Sequence, residues 1–143
     1  MDQINFFNED IECDLPNQEI ICAWIAHTIS SENYKLSEIN YIFCSDEYLR
    51  QVNIDYLEHD YYTDIITFDN SEEEGIVESD IFVSIDRIRD NAQDQGVPFE
   101  HELRRVLIHG VLHLVGYNDK TEAEQEEMRE KENAYLSLPQ FHN

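Results

Sequence analysis

One helix in this chain must be buried on most of its surface, and that demand limits what the remaining residues can build. Leu103, Leu107, Val111 and Leu114 recur on one stripe, with Ile108, Leu112 and Val115 beside it. Such wide apolar coverage predicts a helix that the rest of the chain has to enclose. The same helix carries His109 and His113. At ~1.5 Å rise per residue, two imidazoles four positions apart stand on one face, one turn from each other. Placed so, they can grip one divalent metal. Gly116 follows. Glycine is the usual residue just past a helix end, because it takes φ > 0 without a clash. The chain can turn back there and bring Asp119 to the same cation. Three protein ligands leave a coordination position open, which is the pattern of a catalytic zinc rather than a structural one. His109, His113 and Asp119 are therefore the expected ligands of one Zn2+ per chain.

The spacing His109-x-x-x-His113-x-x-Gly116-x-x-Asp119 resembles the zinc motif of metzincin proteases in every interval. Gly110, however, stands where a protease carries its glutamate base. A closer likeness is His109-Gly-Val-Leu-His113-Leu-Val-Gly116-Tyr117, which resembles the signature of the YbeY family of endoribonucleases, the rRNA maturation factors. Thr63-Asp64-Ile-Ile-Thr67-Phe68 resembles that family's second hallmark, a Thr-Asp-Val-Leu-Ser-Phe-like strand. Asn53 and Tyr56 sit at positions the family favours, and Ser79-Asp80-Ile81 resembles its Gly-Asp-Ile. The chain departs from the family at Asn118-Asp119, where most members have Asp-His, and at Leu57, where they have an arginine. A carboxylate ligates zinc as an imidazole does, and its added negative charge makes a bound water slightly less acidic. Leucine can neither bind phosphate nor stabilise developing charge.

The resemblance implies a metal-dependent, single-strand-specific endoribonuclease acting in 16S rRNA 3′-end maturation and ribosome quality control. It implies ribosomal RNA and small-subunit components as partners, and a cytoplasmic location. The alternative is a non-catalytic ribosome-assembly factor whose metal only ties the helix end to the loop at Asp119. Leu57 and the acidity of the chain favour that alternative. The motif identifies no catalytic acid or base. Asp64 and Glu102 are candidates, as proton carriers or as partners of a ligand histidine.

Charge bears directly on the RNA reading. Thirty-two acids face nine lysines and arginines, a net charge of −23. That opposes long-range attraction to nucleic acid, and no DNA partner is expected. Arg87, Arg89, Arg104 and Arg105 lie together before the motif and can form a local basic patch. They can equally pair with Asp86, Asp90, Glu100 and Glu102. Arg104 and Arg105 are the candidates for RNA contact. No run of ~18 apolar residues predicts a membrane span, and the first residues lack the apolar core of a secretory signal. Cys13, Cys22 and Cys44 show no paired spacing and read as reduced thiols.

The length of 143 residues suits one domain, taken here as 1–143, a single metal-dependent hydrolase domain. Strands are predicted over 3–8, 38–45, 64–68 and 76–85. A helix opens at Leu15-Pro16-Asn17 with proline in its first turn. Others follow Ser45, span 86–95 up to Gly96, carry the motif, and begin at the capping box Thr121-Glu-Ala-Glu124. Met128, Ala134, Tyr135 and Leu136 are the packing points expected on the last helix. Pro139 is expected to end the ordered part, with His142 in a frayed tail. The sum is an α+β fold: a small mixed four-stranded sheet, about five helices, and the metal-site helix packed on the sheet.

Overall fold

The computed structural model describes residues 3–141, so His142 lies outside the described residues. The elements run β1 (Ile4–Asn8), α1 (Gln18–Ser31), β2 (Lys35–Cys44), α2 (Asp46–Leu57), β3 (Ile65–Asp69), β4 (Ile76–Ser84), α3 (Ile85–Gln95), α4 (Phe99–Leu114) and α5 (Glu122–Leu136). The strands lie in the order β1-β2-β4-β3. β1, β2 and β4 are parallel, and β3 returns antiparallel along β4. This is the mixed four-stranded α+β architecture that the hydrophobic pattern predicts. Among the described residues no helix is long and apolar enough to cross a membrane.

Alternation along the strands sends side chains to two separate layers. Ile39, Tyr41 and Phe43 of β2 and Val77, Ile81 and Val83 of β4 are buried on one face. They join Trp24, Ile25 and Ile29 of α1 and Leu103, Leu107, Ile108, Val111 and Leu112 of α4 in the main core. Each such side chain contributes ~1.5–3 kcal/mol by leaving water. On the other face Ile66, Phe68 and Phe82 meet Leu49 and Val52 of α2. The enclosed Tyr41 donates its hydroxyl to the Leu107 carbonyl at 3.1 Å, fastening α4 to the sheet. Burial pushes that phenol far above its ordinary pKa.

Gly110 decides how closely α4 approaches. A Cβ there would stand 2.9 Å from Ile65 Cδ1, 3.2 Å from Thr67 Oγ1 and 3.4 Å from Ile81 Cδ1. The side chains of β3 and β4 thus fill the space that a residue at 110 would need. This helix sits on the sheet because it has no side chain at that point.

Several boundaries differ from expectation for physical reasons. α1 begins at Gln18, and Pro16 precedes it, because Asn17 takes a left-handed conformation (φ 59°) as the cap. β2 starts at Lys35, three residues early, across a register shift between Leu36 and Glu38 that its polar residues conceal. Ile85 leaves β4 and starts α3, because Ser84 Oγ accepts the Arg87 amide and caps the helix. Ala134 is exposed rather than packed, while Met128 is buried. Past Pro139 the chain makes a 3₁₀ turn, and Phe141 packs against the core.

Candidate metal centre

Three side chains converge at the end of α4. His109 Nε2 and His113 Nε2 are 3.0 Å apart. Asp119 Oδ2 lies 3.4 Å from each of them. The return of Asp119 follows from the turn after the helix. Gly116 takes φ 104°, and the Tyr117 amide donates back to the Leu112 carbonyl at 3.0 Å. Nitrogen and oxygen ligands held tetrahedrally at roughly 2.0–2.1 Å stand about 3.3 Å apart. The observed triangle has that size, so these three residues could hold one metal ion. It is also open to solvent on one side. The side chains are 19%, 30% and 42% exposed for His109, His113 and Asp119.

The orientation of His109 comes from a residue that the motif does not contain. Glu132 of α5, 2% exposed, lies 2.6 Å from His109 Nδ1. An ionised carboxylate can only accept a hydrogen bond, so the proton belongs on Nδ1 and the lone pair on Nε2. Nε2 is the atom facing His113 and Asp119. Burial tends to raise the Glu132 pKa, but the hydrogen bond and charge of His109, and then Arg105, outweigh it and hold the carboxyl below its usual range. Arg105 Nη1 reaches Glu132 Oε1 at 3.3 Å, and Arg129 reaches the same oxygen from the rim at 3.6 Å. The sequence carries a sign of this. Met128, Glu132, Tyr135 and Leu136 share one stripe of α5, so Glu132 is an acid on the packing face.

Glu102, considered as a partner for a ligand histidine, instead pairs with Arg105. It is fully buried, accepts Arg105 Nε at 2.9 Å, and takes a second bond from Arg105 Nη2. Arg104 and Arg105, expected to contact RNA, are thus both engaged within the fold. Arg104 donates to the Phe141 carbonyl at 3.0 Å and lies 5.5 Å from the Trp24 ring centroid. Arg87 pairs with Asp46 at 2.8 Å, and Arg89 lies over Phe99. The four arginines therefore meet acids, a carbonyl and aromatic rings rather than forming an open basic patch.

The triangle opens on a cavity of about 490 Å³ between α4, β3 and the end of α2. Asn53, Leu57, Tyr61, Thr63, Asp64, Asp69 and Leu114 line it with His109, His113 and Asp119. Leu57 puts an apolar side chain into that wall. Asp64 is half-buried there. Burial raises its pKa, and the charges of His109 and Arg105 offset this only in part. Behind the site, Glu32 at the end of α1 accepts hydrogen bonds from Tyr117 (2.7 Å), Lys131 (3.3 Å) and Tyr135. That carboxylate ties the exit of the metal loop to α1 and α5.

Comparison with known proteins adds an independent line. A family model described as endoribonuclease YbeY matches residues 3–139. A protein of Cytophaga hutchinsonii named as an endoribonuclease of that family is 57% identical over 138 residues, 96% of each chain. A namesake from Amoebophilus asiaticus is 50% identical, covering 93% of this chain and 90% of its own. One from Flavobacterium johnsoniae is 48% identical, covering 95% and 96%. Among solved structures, the solution structure of a Thermotoga maritima protein matches with a TM-score of 0.63 at 25% identity. That match covers 98% of this chain and 96% of the other.

Proposed function

The chain belongs to the YbeY family of endoribonucleases, and from that premise we propose a metal-dependent enzyme that cuts single-stranded RNA. Its proposed substrate is ribosomal RNA, in 16S 3′-end maturation and ribosome quality control, with small-subunit components as partners. The whole of residues 1–143 serves as one hydrolase domain in this reading, working in the cytoplasm where ribosomes are built. The observation that carries it is the triangle of His109, His113 and Asp119 opening on a cavity.

His109, His113 and Asp119 would hold the ion, and zinc suits two nitrogens and one oxygen at this spacing. Bound zinc supplies hydroxide at neutral pH and polarises a phosphoryl oxygen. The chain's own residues do the rest. Glu132 fixes the His109 tautomer. Asp64, with its carboxyl held above the ordinary range, is the side chain in this cavity best placed to hold a proton. Gly110 supplies no acid between the two histidines.

Purified protein loaded with zinc is expected to cut single-stranded RNA, to spare duplex RNA, and to lose activity when a chelator strips the metal. Intact single-stranded RNA after zinc loading would sink the enzyme reading. Leu57 favours the second reading, a non-catalytic assembly factor with a structural metal. In that case chelation lowers the melting temperature, while cleavage stays at background with and without metal.

Glu132→Gln keeps the shape of the brace and removes its charge. Partners of this kind set the basicity and orientation of a ligand histidine, and their loss weakens metal binding by roughly 10–100-fold. Competition with a chromogenic chelator measures this directly. Unchanged affinity would mean that Glu132 only fills space.

A further inference from the structure

We propose that Tyr61 is a stacking platform that receives one unpaired nucleobase at the mouth of the metal cavity. The inference rests on the RNA-cleaving reading above and says how such a substrate is held. The difficulty it answers is electrostatic. A chain of net charge −23 repels RNA, and the cavity wall carries Asp64, Asp69 and Asp119. Among the described residues no lysine or arginine lines that cavity. Cations on phosphates, the usual means of holding a nucleic acid strand, are therefore missing from this cavity, and Arg105 and Arg129 of the neighbouring one, which shares His109 and Asp119, pair with Glu132. Bases offer another handle, because every base has a π-face that stacks on an aromatic ring whatever its sequence.

The aromatic side chains near the cavity are not equivalent. Tyr62 has guanidinium groups against its ring, with Arg87 at 5.6 Å and Arg50 at 5.8 Å from the centroid, and its hydroxyl bonds Glu47. Tyr56 is exposed but sits edge-on to Phe68, on the α2 side of the sheet, and does not line the cavity. Tyr61 does line it and is 53% exposed. The ring of His59 stacks on Tyr61 at 5.3 Å and 23°, and the Tyr61 hydroxyl lies 3.1 Å from His59 Nδ1. The pair is thus a short stack already built, which a base can extend.

The platform is also held in place. Asn53 is 1% exposed, and its side-chain amide donates to the Tyr61 carbonyl at 3.1 Å. The His59 amide donates to the Asn53 carbonyl at 3.2 Å, after Glu58 turns the chain at φ 59°. A buried amide that clamps an exposed loop fixes where its aromatic side chain stands. Leu57 then offers the sugar an apolar surface beside it. Duplex RNA keeps its bases stacked inside and cannot use such a platform, which accounts for a single-strand preference without any basic groove.

Fluorescence offers a clean test. Trp24 is the one tryptophan of the chain and is buried, so Tyr61→Trp adds a reporter at the platform. With a chelator present to stop cleavage, a short single-stranded RNA should quench it, and an abasic strand of the same length should not. Tyr61→Ala should weaken binding and raise KM by roughly tenfold to a hundredfold, with metal content and melting temperature unchanged, while Tyr61→Phe keeps most of the affinity. Affinity should not fall steeply with added salt, unlike that of a phosphate-gripping protein. If Tyr61→Ala binds and cleaves like the natural chain, or the abasic strand competes equally, the platform is wrong and the endoribonuclease reading stands. If the natural chain neither binds nor cuts single-stranded RNA, both fall together.

Discussion

His113→Ala is expected to abolish metal retention and RNA cleavage together while the protein stays folded. The ring stands in the last turn of α4 and is 30% exposed, so little packing depends on it. Exposed substitutions of this sort usually change stability by no more than ~0.5 kcal/mol. The metal has much more to lose. With one of the three candidate ligands gone, His109 and Asp119 remain, their facing atoms 3.4 Å apart, and among the described residues the candidate set offers no third donor to close the triangle. The loss should exceed the ~100-fold upper end seen when only an outer partner is removed. Metal content after dialysis, read beside the melting curve of the metal-free form, checks both halves. A variant that keeps full stoichiometry would place the ion elsewhere and end the case for this triangle. Asp119→His, which exchanges one zinc-binding side chain for another, should in contrast retain the ion.

The second large effect is expected at Gly110, where glutamate completes the protease-like motif and should destroy the fold rather than create a protease. Two magnitudes decide the outcome. Alanine at this position gains ~1 kcal/mol of helix propensity over glycine. Overpacking costs ~1–3 kcal/mol, and its chief contact is the flexible end of Ile65, 2.9 Å away. Gly110→Ala should therefore lie within ~2 kcal/mol of the natural chain. Glutamate starts from the same crowded point against Ile65 and Thr67, and among the described residues no lysine or arginine lines the cavity beside it. A buried charge that lacks a partner costs several kcal/mol, a large part of the ~5–15 kcal/mol that holds an ordinary domain together. Denaturant unfolding of Gly110→Ala and the soluble yield of Gly110→Glu read these effects. A Gly110→Glu protein with unchanged stability and casein-cleaving activity would contradict the packing described here.

The two variants also mark what a sequence can disclose. His109, His113, Gly116 and Asp119 are legible because helix pitch and a glycine turn, both local, fix their relation. The sheet is legible for the same reason, through alternation in β4 and β3. Glu132 was missed because its tie to His109 exists only once α5 docks across the chain. An acid on the Met128 stripe was the available hint. Arg105 admits two readings from the letters, a free cation or an ion pair with a neighbour such as Glu102, and only the packed fold shows it between Glu102 and Glu132. Lys35–Ser37 and Asn17 escaped because a polar strand end and a left-handed cap leave no hydrophobic period. Gly110 shows an intermediate case. Its lack of chemistry is plain from the letters, while its reason, the nearness of Ile65 and Thr67, belongs to the fold.

The brace from Glu132 has a bearing on how the protein is born. A chain is synthesised from its N-terminus, so His109, His113 and Asp119 leave the ribosome before α5 does. Until that last helix emerges and docks, His109 has no carboxylate to fix its proton, and Glu32 has neither Lys131 nor Tyr135 to grip. The nascent chain is surrounded by the kind of molecule it is proposed to cut. Late arrival of α5 means that the three candidate ligands are made before the carboxylate that orients one of them.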